Sequence, residues 1–164
     1  MVTIGEWTAI ISSLASLAAV VFVAFELRDM GKHNDLEISM KLFEWAETDR
    51  LRRAFRHIES KFEFKDLETY KAQTGDNFEV SDYPYQVEAY FEEVGFLVNK
   101  KLANLDVMVD RLGSHIIASW KKLEPWIIAV RNERQDKTFG EHFEILHRKT
   151  VQYMKKCGVD CRKD

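Results

Sequence analysis

Few residues in this chain have the types and spacing that chemistry needs. The sharpest pair is Glu144-x-x-His147. On a helix these two side chains share a face, and di-iron bundles use that spacing to hold metal. Such a centre needs two copies of the motif plus a Glu from each of two further helices. One copy is present, and His33, His57, His115 and His142 do not repeat it. Glu144 and His147 therefore read as partly exposed neighbours, and no metal is expected. Ser114-His115 sets a hydroxyl beside an imidazole, but adjacent positions on a helix point apart, which argues against a nucleophile–base pair. Cys157 and Cys161 lack the second pair that zinc requires and are not spaced as the C-x-x-C of thioredoxin-type redox sites. In a cytoplasm they are reduced thiols. The glycine-rich phosphate loops, G-x-S-x-G and H-E-x-x-H are absent. The chain thus reads as a non-enzyme, with no catalytic, cofactor-binding or metal-ligating residues and no cofactor.

One charged constellation remains. Arg50, Arg52, Arg53 and Arg56, with His57, crowd one helix. They are a candidate patch for anionic lipid headgroups. The competing and preferred reading is a solvated face balanced by nearby carboxylates. Net charge is −3 over 164 residues. That balance gives no electrostatic case for nucleic acid as a partner. With two Pro and seven Gly, the chain has the composition of neither a β-sandwich nor a disordered linker. Arg131 closes the segment that begins at Trp120, and a carboxylate from a neighbouring helix is expected to hold it.

The element that positions everything else is the stretch from Trp7 to Phe25, which holds no charge, no Pro and no Gly. As a helix it rises roughly 28 Å, close to the ~30 Å hydrocarbon core of a bilayer. It is read as a single transmembrane helix. Its apolar residues cover every face, unlike those of a surface helix. The first 26 residues contain no Lys or Arg, and no A-x-A pattern follows, which argues against a cleaved signal peptide. All 24 Lys and Arg lie C-terminal to the stretch. The positive-inside rule then puts the N-terminus outside and the rest in the cytoplasm, with Trp7 at the outer interface. Gly5, Ala9 and Ser13 form one row of small residues; Thr8, Ser12 and Ser16 form the next. Such rows suit a helix–helix contact in the bilayer, with another membrane protein or with a second copy of the chain.

Past the membrane stretch the periodicity is helical throughout. Leu36, Met40 and Phe43 make one stripe, and Ile38, Leu42 and Trp45 make a second, giving a wide apolar face. Thr48-Asp49 reads as a cap for a helix to about Lys61, with Leu51, Ala54, Phe55, Ile58 and Phe62 inward. Lys65 to Gln73 reads as a short helix ended near Gly75. Pro84 is placed at the first turn of the next helix, whose stripe is Val87, Phe91, Val94 and Val98. Glu88, Glu92 and Glu93 are placed beside or opposite that stripe. Asn104 caps a further helix, with an interruption at Gly113-Ser114 and a kink or restart at Pro125. The last helix runs from about Phe139 to Cys157, with Cys157 on the core side and Gly158 as C-terminal cap.

The expected architecture is all-α: a transmembrane anchor and juxtamembrane segment over 1–30, a helical bundle of about four to six helices over 31–158, and a tail over 159–164. Three segments carry a family resemblance: Phe91-Glu92-Glu93-Val94-Gly95-Phe96-Leu97, the W-x-x-L-x-P run from Trp120 to Arg131, and Phe143-Glu144-Ile145-Leu146. Over roughly Val20 to Leu146 the chain resembles a family of small prokaryotic proteins known as a domain of unknown function. The resemblance implies one N-terminal membrane helix, a helical cytoplasmic domain and no activity. The expected function is a membrane-anchored interaction protein, an accessory or scaffold subunit of a membrane complex at the cell membrane. The alternative is a homo-oligomeric membrane sensor or effector with a ligand-responsive helical domain.

Overall fold

The computed structural model describes residues 20–23, 26, 35–75 and 78–158. The chain divides into two units, Met1–Glu37 and Ile38–Asp164. In the first, residues 20–23, 26 and 35–37 are helical. Residues 7–19, 24 and 25 of the apolar stretch lie outside the described residues, as do Gly5, Thr8, Ala9, Ser12, Ser13 and Ser16. No helix among the described residues is long and apolar enough to cross a membrane.

The second unit contains six helices among its described residues and no strand. α1 spans 35–46, entering this unit at Ile38. It is followed by α2 (Asp49–Lys61), α3 (Leu67–Thr74), α4 (Phe78–Asn99), α5 (Leu105–Arg134) and α6 (Glu141–Lys156). The all-α bundle expected from the periodicity is present. α4, α5 and α6 form its centre, with α2 laid across α4 and α5.

Apolar spacing explains which faces turn inward. On α2, Leu51, Ala54, Phe55 and Ile58 are buried, one side of a helix at three- and four-residue steps. On α4, Val87, Phe91 and Val94 are fully buried, and they meet Phe143 and Leu146 of α6 and Ile116, Leu123 and Ile127 of α5 in one core. Phe91 stacks on Phe143 at 4.8 Å, and Trp120 meets Phe143 edge-on at 5.0 Å. Each large aromatic in such a core stabilises the fold by about 3–5 kcal/mol against truncation to Ala. The Tyr90 hydroxyl donates to the Leu42 carbonyl at 3.1 Å and ties α1 to α4.

Several local expectations fail for identifiable reasons. α4 starts at Phe78, so Pro84 lies inside the helix and not at its first turn. A mid-helix proline has no N–H to donate to the carbonyl four residues back, here that of Val80. Here the Tyr70 hydroxyl donates to Ser81 O at 2.9 Å and stands 3.4 Å from Val80 O. α5 likewise continues through Gly113-Ser114 and Pro125 as one helix. Gly113 is buried where α6 passes: a Cβ there would stand 3.5 Å from Met154 Sδ and 3.2 Å from Val109 Cγ1. Burial of Leu123, Trp126 and Ile127 around Pro125 outweighs the proline's helix cost of about 3 kcal/mol. Cys157 is exposed and free, because α6 ends at Lys156 and the chain turns off the core there. On α1, Leu42 and Ser39 face the core, while Leu36, Met40 and Trp45 remain substantially exposed, so the inward face is narrower than the two apolar stripes imply. Thr48 occupies the N-cap of α2 but makes no cap bond; its hydroxyl donates back to Trp45 O at 2.8 Å. Asn104 does cap α5, accepting from Asp106 N–H at 2.8 Å.

The tightest backbone approach is at Gly95. A Cβ at this position would stand 2.2 Å from the His142 carbonyl oxygen. Gly95→Ala is therefore expected to lower stability by about 3 kcal/mol, at the upper end of overpacking costs. Ser114→Ala, on an exposed position of α5, should stay within about 0.5 kcal/mol. Urea denaturation of the two variants measures the contrast.

Candidate functional site

Burying the apolar stripe of α2 leaves its arginines outward. They are divided between two clefts. Arg50 and Arg53 edge a cleft of about 660 Å³ closed by Tyr70, Lys71, Tyr85 and Trp126. Its cations are held by acids: Arg50 meets Asp82 at 2.5 Å, and Lys71 meets Glu133 at 2.7 Å. Arg52 and Arg56 edge a second cleft of about 390 Å³ between α1, α2 and α5. The four arginines of the sequence cluster are thus not brought together at one cleft.

The second cleft has an apolar floor and a polar rim. Phe43, Phe55 and Leu112 supply the floor; Arg111, His115 and Glu59 join Arg52 and Arg56 around it. Helix spacing accounts for the arrangement. Arg52, Arg56 and Glu59 follow at four- and three-residue steps on α2, and Arg111 and His115 are one turn apart on α5. Arg111 reaches Glu47 at 2.8 Å and lies over the Phe43 ring, 5.6 Å from its centroid. His115 donates from Nδ1 to Glu59 Oε1 at 2.6 Å and stacks on Phe55 at 5.6 Å. That hydrogen bond raises the imidazole pKa above its ordinary value, with burial opposing. Nothing local in sequence marks this pair: Glu59 and His115 lie 56 residues apart. His115 thus finds its partner on α2, and not in Ser114.

A second polar cluster surrounds the start of α6. Gly140, the N-cap of that helix, has no side chain to accept from the free N–H groups. Glu92 of α4 does so instead, accepting from His142 N–H at 3.1 Å and Phe143 N–H at 2.9 Å. Arg131 donates to Phe139 O at 2.7 Å and to Glu144 Oε2 at 3.0 Å, the carboxylate from a neighbouring helix that its position called for. Glu144 is therefore engaged with Arg131, while His147 stacks on Trp120 at 5.5 Å; burial lowers the pKa of that imidazole. Among the described residues no group of His, Cys, Asp or Glu is arranged to hold a metal ion.

Glu88 is buried more deeply than a carboxyl beside an apolar stripe leads one to expect. It lies beside the stripe but is only 5% exposed, because the buried face of α4 is wide enough to include it. Burial raises its carboxyl to about 8, and repulsion from Glu92 adds to this; Arg134, Arg131 and the Gly140 N–H pull the other way. Burial thus favours the neutral form of this carboxyl.

These features define an all-helical domain with one aromatic core and arginine-edged clefts. The chain belongs to the family described as a domain of unknown function, DUF4760, which matches residues 13–150. No curated protein and no solved structure matches it.

The buried carboxyl has a pH consequence. In the unfolded chain Glu88 titrates at its ordinary value of 4.5, in the folded domain at about 8. Between those values the folded state holds a proton that the unfolded state has lost. The contribution of Glu88 is thus fully present below pH 4.5 and declines as pH rises to about 8. Glu88→Gln removes that decline. Urea midpoints of variant and parent across this range should shift steadily in the variant's favour as pH rises; a constant difference would contradict the assignment.

Proposed function

We propose that this chain is a non-enzymatic, membrane-anchored interaction protein, serving as an accessory or scaffold subunit of a membrane protein complex. The observation that carries the reading is the surface of residues 20–23. Val20, Val21, Phe22 and Val23 are helical, and all four are 48–68% exposed. Four successive helical positions at about 100° each leave no polar face. An apolar helix surface of that kind calls for a lipid or protein cover. The stretch from Trp7 to Phe25 supplies the rest of a span, and the row Gly5, Ala9, Ser13 with Thr8, Ser12 and Ser16 supplies its contact face. On this reading the chain crosses the cell membrane once, with the N-terminus outside and the helical domain in the cytoplasm. On this reading the candidate headgroup patch narrows to Arg52 and Arg56, because Arg50 is paired with Asp82 and Arg53 is engaged as well, and nucleic acid is not a proposed partner.

A second reading, a homo-oligomeric membrane sensor or effector, is favoured by one observation. The 390 Å³ cleft beside α2 combines an apolar floor with a few polar groups, which is the usual form of a small-molecule site.

The anchor is tested by alkaline carbonate extraction of membranes containing the full chain. The chain should stay in the pellet, and a form lacking residues 1–26 should move to the supernatant. Release of the full chain would overturn the reading. The contact face is tested by Ala9→Ile with Ser13→Ile, which should weaken association in the bilayer by about threefold or more in a quantitative energy-transfer assay. Unchanged association would remove that face.

A further inference from the structure

We propose that the cleft between α1, α2 and α5 binds a small amphiphilic anion, one carboxylate or phosphate head on an apolar body. The inference concerns the cleft alone and holds whether the chain works by itself or within an assembly.

Charge accounting around the rim gives the sign of the ligand. Two carboxylates line the cleft, and each is engaged. Glu47 pairs with Arg111 at 2.8 Å, and Glu59 accepts from His115 at 2.6 Å. Arg52 and Arg56 have no carboxylate partner among the described residues; the Arg56 Nε–H reaches only the Arg52 carbonyl, at 3.5 Å. The rim therefore has two guanidinium groups, one helical turn apart, with no carboxylate bonded to them; Arg52, Arg56 and Arg111 face Glu47 and Glu59, a positive surplus even with His115 neutral. A guanidinium presents a planar fork of donors that matches carboxylate and phosphate oxygens. The larger cleft offers no such surplus at Arg50 and Lys71, because Asp82 and Glu133 occupy them.

The floor gives the body of the ligand. Phe55 and Leu112 are 7% and 5% exposed, so only a narrow apolar strip of each reaches the cleft. Phe43 completes the floor, with the Arg111 guanidinium over its ring. The volume of about 390 Å³ lies at the small end of ligand sites. It suits one ring system or a short chain, and not a polymer. The hydrogen bond to Glu59 fixes the orientation of His115, so this wall is set before any ligand arrives.

The head could come from a soluble small acid or from a membrane lipid, and one titration separates these sources. The full chain in phosphatidylcholine nanodiscs is titrated with 1-naphthyl phosphate, with neutral 1-naphthol and inorganic phosphate as controls. Naphthyl phosphate should bind at least about tenfold more tightly than either control and should move the imidazole resonances of His115. Arg52→Gln and Arg56→Gln should each weaken binding about tenfold, the usual effect of losing a charge-assisted hydrogen bond. Arg50→Gln, at the other cleft, should leave it unchanged. The titration is then repeated in phosphatidylglycerol nanodiscs. Weaker apparent binding there that Arg56→Gln abolishes assigns the cleft to a lipid headgroup; unchanged binding assigns it to a soluble anion. Both outcomes support the site. Equal binding of naphthol, indifference to both arginine variants with unchanged melting temperatures, or no binding would overturn it.

Discussion

The helical domain is held together by one crossing, where the backbone of α4 lies directly on the start of α6. Gly95 allows the approach, since any side chain there would run into the His142 carbonyl. Glu92, one turn earlier, fills the capping role that Gly140 cannot, through two backbone N–H groups. Phe91 then stacks on Phe143, and Trp120 of α5 closes on the same ring. A glycine contact, a carboxylate cap and an aromatic stack thus fix three helices in a single register. The apolar faces of α2 and α1 are laid against that frame, and the two clefts form beside α2.

Much of this frame was legible in the sequence, and the failures share a physical cause. Stripes such as Leu51–Ala54–Phe55–Ile58 and Val87–Phe91–Val94 announce their buried faces because periodicity is a local property. Asn104 and Gly75 mark helix ends for the same reason. Pro84 misleads because burial of its neighbours Tyr83 and Val87 carries the helix through the missing bond, and burial is a property of the tertiary fold. Glu88 misleads because a carboxyl normally signals solvent, and only the tertiary fold can keep one protonated in a core. The Glu59–His115 pair was out of reach, since no spacing rule joins residues on α2 and α5. Gly95 and Gly113 carried a usable signal: glycine inside a helix costs stability against alanine, so its presence there points to a close contact.

The clefts and the core answer different needs. Polar groups inside the domain are spent on structure: Glu92 caps, Arg131 ties a loop to α6, and burial favours the neutral form of Glu88. Beside the clefts, Arg52 and Arg56 of α2 are charges not spent in this way. The proposed role at a membrane rests instead on the apolar N-terminal stretch of the sequence.

The proposed membership in a membrane assembly is tested most directly by the mass and composition of the particle that a mild detergent releases from native membranes. The expected result is this 19.3 kDa chain within a larger particle containing other membrane proteins in fixed proportion. A particle made only of copies of this chain, or a chain found free of the membrane, would contradict it.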